Sequence, residues 1–115
     1  MTFARAYRDT SMKRIDAIKK PLQGDITVPG DKSIAHRAVI LGSVAEGRSR
    51  IFNLSGGEDN SRTVRAFRQM GVQIDRDGDA LCIEARGWNP LRAPDAAIDC
   101  GNSGTTMRLL SGLLA

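Results

Sequence analysis

Aromatic side chains are scarce in this chain: one Trp, one Tyr and three Phe among 115 residues, or 4%. Single-stranded nucleic-acid platforms stack bases on rows of rings, and no such row is present here. With one His and two Cys, a four-ligand zinc site cannot be completed without carboxylates. Cys82 and Cys100 also lack the paired spacing of metal ligands. No apolar run approaches the roughly 18 residues of a membrane span. The first twenty residues have no apolar centre of the secretory-signal kind. These absences predict a reduced, cytoplasmic protein with no metal, no membrane and no nucleic-acid partner.

What is present is ordinary in bulk. Hydrophobic residues make up 41% and charged residues 26%, as in a soluble globular domain, and the length suits one modest core. The net charge of +4 and a pI near 9.6 suit an anionic ligand without demanding a polyanion. Residues 1–20 are basic, with Arg5, Arg8, Lys13, Arg14, Lys19 and Lys20 against Asp9 and Asp16. They read as a leader before a domain over 21–115, with Met12 as an alternative start. Met107 to Ala115 is an apolar helical run without a polar tail. Its uncovered face predicts that the chain is the front part of a longer protein.

The pattern predicts βαβαββ, then a further β-α. A strand at Ile26–Val28 turns at Pro29-Gly30 into a helix from about Asp31 to Ala45. Asp31 is its N-cap, Ile34, Ala38, Leu41 and Ala45 its apolar stripe, and Gly47 its stop. A strand over Ser49–Leu54 follows. Gly56 to Asn60 opens a second helix, with Asp59 as a cap, Val64, Phe67 and Met70 facing inward, and Gly71 closing it. Residues 72–75 and 81–85 alternate around an Asp77-Gly78 hairpin turn. Residues 86–95 are a loop, and a strand near Ala97–Cys100 feeds the last helix.

Two strand-to-helix junctions resemble each other. Gly30-Asp31 and Gly101-Asn102 are each followed by five residues, an arginine (Arg37, Arg108) and an apolar run. The first junction places Lys32 and Ser33 at a helix start, where free N–H groups and the positive dipole end attract anions. Ser33 and Arg37, at i and i+4, share one helix face. The second, Gly101-Asn102-Ser103-Gly104-Thr105-Thr106, presents small residues, hydroxyls and backbone N–H groups. It is neither a nucleotide P-loop nor a dinucleotide Gly-x-Gly-x-x-Gly turn. The two together predict a site for phosphate or carboxylate. A solvated basic helix start and an ordinary capped turn are the plainer alternatives. His36 reads as a structural neighbour of the site and Cys82 as a structural strand residue. Cys100 lies beside the second turn without a recognisable base.

Leu22-Gln23-Gly24 through Ala38, with Gly57-Glu58-Asp59 and Gly101 to Arg108, closely resembles the 5-enolpyruvylshikimate-3-phosphate synthase (3-phosphoshikimate 1-carboxyvinyltransferase) family. Three separated motifs in the right order carry the likeness, which covers residues 21–115. Members of that family are longer, so the resemblance implies an N-terminal segment. It would hold one βαβαββ unit at about 24–86 and the start of a second at about 96–115, within an α/β (α+β) fold. The implied reaction transfers the enolpyruvyl group of phosphoenolpyruvate to the 5-hydroxyl of shikimate 3-phosphate, releasing phosphate. It belongs to the pathway to chorismate and the aromatic amino acids. No cofactor is implied, and the full-length enzyme would be monomeric.

By motif, Lys32, Ser33 and Arg37 would bind shikimate 3-phosphate, with Lys32 also reaching phosphoenolpyruvate. Asn102 and Gly104 would line the phosphoenolpyruvate pocket, where the inhibitor glyphosate also sits, and Arg108 would act as a brace. Some glyphosate-tolerant relatives carry alanine at Gly104, so glycine there implies sensitivity. Leu109 departs from the proline common at its position, which bears on the same point. The acid–base residues of the family lie beyond residue 115, implying that the chain alone is inactive, with no catalytic residue of its own. Three rivals stand beside this reading. The enolpyruvyl transferase acting on UDP-N-acetylglucosamine usually reads Lys-Asn in the first motif and lacks the following arginine. The others are a small basic RNA-binding module and a non-catalytic gene remnant.

Overall fold

A computed structural model describes residues 16, 20, 21 and 23–115. The expected leader lies, apart from Asp16 and Lys20, outside the described residues.

The first helix, α1, spans Lys32–Val44 and starts as its sequence predicts: the Asp31 carboxylate accepts the Ile34 N–H at 2.7 Å. Its buried face differs from the predicted stripe. Ala35, His36, Val39, Ile40, Gly42 and Ser43 face inward, while Ile34 and Leu41 are 59% and 65% exposed. Apolar residues occupy both sides of this helix, so periodicity alone could not choose between them. Close packing on the sheet decides: a Cβ on Gly42 would stand 3.1 Å from the Ile83 side chain. The helix ends at Val44, and Gly47, predicted as its stop, already lies in the strand β1, Glu46–Ile51.

The second helix, α2, spans Glu58–Gln69 and buries Asn60, Thr63, Val64, Ala66 and Phe67. Glu58 and Asp59 in its first turn and Arg68 in its last complement the helix dipole. Its cap is Gly57, with no side-chain hydrogen bond, so the predicted capping role of Asp59 is not what the fold uses. The chain leaves the helix through Gly71, whose φ of +90° is the left-handed geometry expected at a helix end.

The hairpin pairs β2, Gln73–Asp77, with β3, Ala80–Arg86. Asp77 pairs with Ala80, so the turn residues are Gly78-Asp79, one place beyond the predicted pair. Gly78 has φ +62° at the first turn position and Asp79 is not in positive φ, the type II′ arrangement that suits strand twist. The sheet has the order β1-β3-β2 and is antiparallel throughout. Ile74, Leu81, Ile83 and Ala85 meet Val39, Ile40, Val64, Phe67 and Met70 in one core. Cys82 is buried on the opposite face of the central strand, between Arg50 and Asp75 of its neighbours, and is structural, as expected.

Two predicted strands do not form. Residues 26–28 are extended but unpaired, with Ile26 86% exposed. Residues 97–100 likewise join no sheet. A strand exists only with a partner edge, and neither segment reaches β1 or β2. The last helix, α3, spans Gly104–Leu114 and buries Thr106 and Leu110. The architecture is therefore mixed helix and antiparallel sheet.

Candidate functional site

The approach to α1 is fixed by contact rather than by pairing. A Cβ on Gly30 would sit 1.9 Å from the Asn53 carbonyl oxygen, so the Pro29-Gly30 turn rests directly on the loop after β1. Asn53 adopts φ 51°, a conformation that asparagine tolerates better than most residues. Its side-chain amide donates to the Val28 carbonyl at 3.2 Å. This clasp sets where the first turn of α1 begins. Ser33 and Arg37 are exposed there and make no hydrogen bond or ion pair to another described residue. Lys32 is paired: its ammonium meets the carboxylate of Asp59 on α2.

The start of α3 is held by side chains. The Ser103 hydroxyl accepts the Thr106 N–H at 3.1 Å, capping the helix. The Asp99 carboxylate accepts the Gly101 N–H at 2.7 Å and pairs with the Arg62 guanidinium. That backbone N–H, and secondarily Arg62, hold the Asp99 carboxyl below the usual carboxylate range. Asn102 is exposed and Gly104 half-buried. A Cβ on Gly104 would stand 2.8 Å from a guanidinium nitrogen of Arg108. Arg108, expected as a brace, has no ion pair among the described residues; instead it folds back over the helix start.

A buried polar seam joins the three helix starts. His36 Nδ1 lies 2.7 Å from Thr63 Oγ1, which lies 2.8 Å from Thr106 Oγ1, which lies 2.6 Å from Ser103 Oγ. Thr106 also donates to the Asp59 carbonyl at 3.4 Å. All four side-chain owners are at most 2% exposed. Asp59 thus touches both junctions, Lys32 through its carboxylate and Thr106 through its carbonyl. His36 is held below its ordinary pKa by burial first and by the Lys32 charge second, with Asp59 opposing. A neutral imidazole follows.

The structure brings Lys32 of the first junction and the capped turn of the second to one residue at the α2 start, Asp59. Two cavities among the described residues lie away from them. The larger, about 560 Å³, lies at the far ends of α1 and α2 and is lined by Ser43, Arg48, Met70, Arg86 and Arg92 among others. The other lies along α2, beside Ser55, Arg65 and Arg76. The candidate site is therefore an open surface on which Lys32, Arg37 and the helix N-termini present positive charge beside the Ser33 hydroxyl. Among the described residues no group of three His, Cys, Asp or Glu could hold a metal.

Sequence reasoning missed Asp59 as the partner of Lys32 and missed Thr63 altogether. The available signal was a hydroxyl residue, Thr63, on the inward face that Val64 and Phe67 mark in an otherwise largely charged helix. Such a group requires a buried partner.

Comparison with known proteins bears on what this surface takes. The family model described as EPSP synthase (3-phosphoshikimate 1-carboxyvinyltransferase) matches residues 17–115. A 3-phosphoshikimate 1-carboxyvinyltransferase of Geobacter metallireducens is 55% identical over 96 residues, covering 84% of this chain and 22% of that protein. One of Streptococcus pyogenes serotype M1 is 57% identical over 95 residues, covering 83% and 22%. The solved structure of EPSP synthase from Acinetobacter baumannii superposes with a TM-score of 0.75 at 47% identity, covering 79% of this chain and 21% of that one. The chain spans about a fifth of the length of the curated relatives it matches.

Proposed function

This chain belongs to the EPSP synthase family, and from that premise we propose that it supplies substrate-binding residues for enolpyruvyl transfer from phosphoenolpyruvate to the 5-hydroxyl of shikimate 3-phosphate. Lys32, Ser33 and Arg37 take shikimate 3-phosphate, and Lys32 also meets phosphoenolpyruvate. Asn102 and Gly104 line the place of the latter. The observation that carries this is the convergence of the starts of α1 and α3 on Asp59.

Both substrates are polyanions, and charge gathers on the departing phosphate oxygens. Helix N–H groups and fixed cations that need not reorganise stabilise that charge better than water does. The Lys32–Asp59 pair holds the ammonium in place before an anion arrives. The family likeness supports acid–base residues elsewhere in the enzyme, and the 115-residue chain alone is expected to show no turnover.

The partners are these two small molecules, with a monomeric enzyme and a cytoplasmic setting. No helix among the described residues is long and apolar enough to cross a membrane. Family membership displaces the UDP-N-acetylglucosamine and RNA-binding alternatives. Glycine at 104 supports inhibition by glyphosate, with Leu109 in place of the usual proline as the modifying feature. The test is phosphate release by the protein expressed from its natural gene, given both substrates. No release, or release with UDP-N-acetylglucosamine in place of shikimate 3-phosphate, rejects the reading.

A further inference from the structure

The polar seam under the two junctions has a direction that can be worked out from one of its links. The Asp59 carbonyl oxygen can only accept, so its 3.4 Å contact with Thr106 is a hydrogen bond only when the Thr106 hydroxyl proton goes to it. Thr106 Oγ1 must then accept at its two other contacts, from Thr63 and from Ser103. With its proton used on Thr106, Thr63 can only accept from His36. In that arrangement the imidazole carries its proton on Nδ1. Its Nε2 is then an acceptor, buried without a hydrogen-bond partner among the described residues. The protons of the His36–Thr63–Thr106 links then run from α1 through α2 to the Asp59 backbone, while the Ser103 hydroxyl donates to Thr106 from the α3 side.

We propose that His36 is a positioning residue for the reaction, acting through Thr63 and Thr106. It sets the place of the Ser103-Gly104 turn relative to Lys32. Three features carry the assignment. The chain is continuous, with side-chain links of 2.6 to 2.8 Å. Its members are buried among apolar residues, where isolated hydroxyls are costly and a directed chain holds a single arrangement. Its ends are the two elements that carry the proposed substrate groups: His36 lies one turn beyond Lys32 on α1, and Ser103 caps α3 beside Gly104.

The groups facing His36 are Lys32 on its own helix and Asp59 on α2, and they are themselves paired. This inference rests on the proposed function. It adds to it that the second junction is positioned from the first helix through the core, and not by its own loop alone.

The test replaces Thr63 by Val, which keeps the shape and removes the hydroxyl, in the protein expressed from its natural gene. Steady-state constants are compared with those of the wild type and of Thr63→Ser. A small displacement of a binding group is enough to cost on the order of tenfold or more. Thr63→Val is expected to raise KM for phosphoenolpyruvate about tenfold while KM for shikimate 3-phosphate, held by exposed groups on α1, stays within about twofold. Thr63→Ser is expected to restore the wild-type value. Both constants moving together, neither moving, or failure of serine to restore the effect overturns the inference. Should Thr63→Val not fold, Thr106→Val breaks the chain one link further on and is read in the same way. A wild-type protein without turnover rejects the proposed function and this inference with it. An active wild type with unsplit constants rejects this inference alone.

Discussion

Replacing Gly30 by Ala separates contact from conformation at the start of α1. Glycine-to-alanine changes commonly stabilise a protein by about 0.4–1 kcal/mol through the unfolded chain when the backbone can accept alanine. Gly30 is not among the positive-φ glycines, so its torsions give no objection. Space does. The added Cβ would stand 1.9 Å from the Asn53 carbonyl oxygen, 3.1 Å from its carbon and 3.3 Å from the Ser55 nitrogen. All three are backbone atoms, and none can swing aside like the end of a side chain. Asn53 is also held by its own bond to Val28 and by its left-handed backbone. Relief must come from moving the Pro29-Gly30 turn off its loop. Overpacking of this kind costs about 1–3 kcal/mol, which exceeds the entropic gain and fixes the sign as destabilising. Denaturant titration of the protein should show a lower midpoint with an unchanged slope. Affinity for shikimate 3-phosphate should fall as well, because the displaced turn carries Lys32 and Ser33. An unchanged or raised midpoint would refute the contact on which this reasoning stands.

Gly104→Ala is expected to behave in the opposite manner. Its Cβ meets only the far end of the Arg108 side chain, so the denaturation midpoint should stay within about 0.5 kcal/mol of the wild type. Inhibition by glyphosate should weaken, and an equal inhibition constant would contradict the assigned pocket. Asp31→Ala removes the carboxylate that accepts the Ile34 N–H and should cost about 1 kcal/mol, measurable as a lower midpoint in urea. Stability should also fall with acid. The folded pKa of His36 lies below that of the unfolded chain, so its contribution is complete above about pH 6.5. It is lost as pH falls from there towards the folded value, where the unfolded chain takes up a proton that the fold refuses. The midpoint difference between pH 7.5 and pH 5.5 should shrink in His36→Asn, and an undiminished difference would locate the effect elsewhere.

The helix starts were legible because their chemistry is local. Asp31 is a capping residue three positions before Ile34, and Ser103 is one three positions before Thr106; both cap as their spacing suggests. The inner face of α2 was legible because Val64, Phe67 and Met70 have no apolar competitors on the far side. On α1, Ile34 and Leu41 compete with Val39 and Ile40, and only the position of β3 decides between them. The unpaired segments 26–28 and 97–100 carry strand-like residues, but pairing depends on an edge that sequence does not display. Asp59 was misread for a related reason. Its position suits a cap, while the partner it actually takes, Lys32, is 27 residues away. Thr63 and Thr106, 43 residues apart, are neighbours only because α2 and α3 pack.

The central claim is that the exposed cations at the start of α1 hold a phosphate ester. Arg37 tests it more cleanly than Lys32, since Lys32 has a second role with Asp59 while Arg37 has no partner among the described residues. Titration calorimetry of the wild-type protein and of Arg37→Met with shikimate 3-phosphate is the direct measurement. Loss of a charge-assisted hydrogen bond costs about 1.5–3 kcal/mol, so the account predicts a dissociation constant raised on the order of ten- to a hundredfold. An unchanged constant in a folded variant would contradict it.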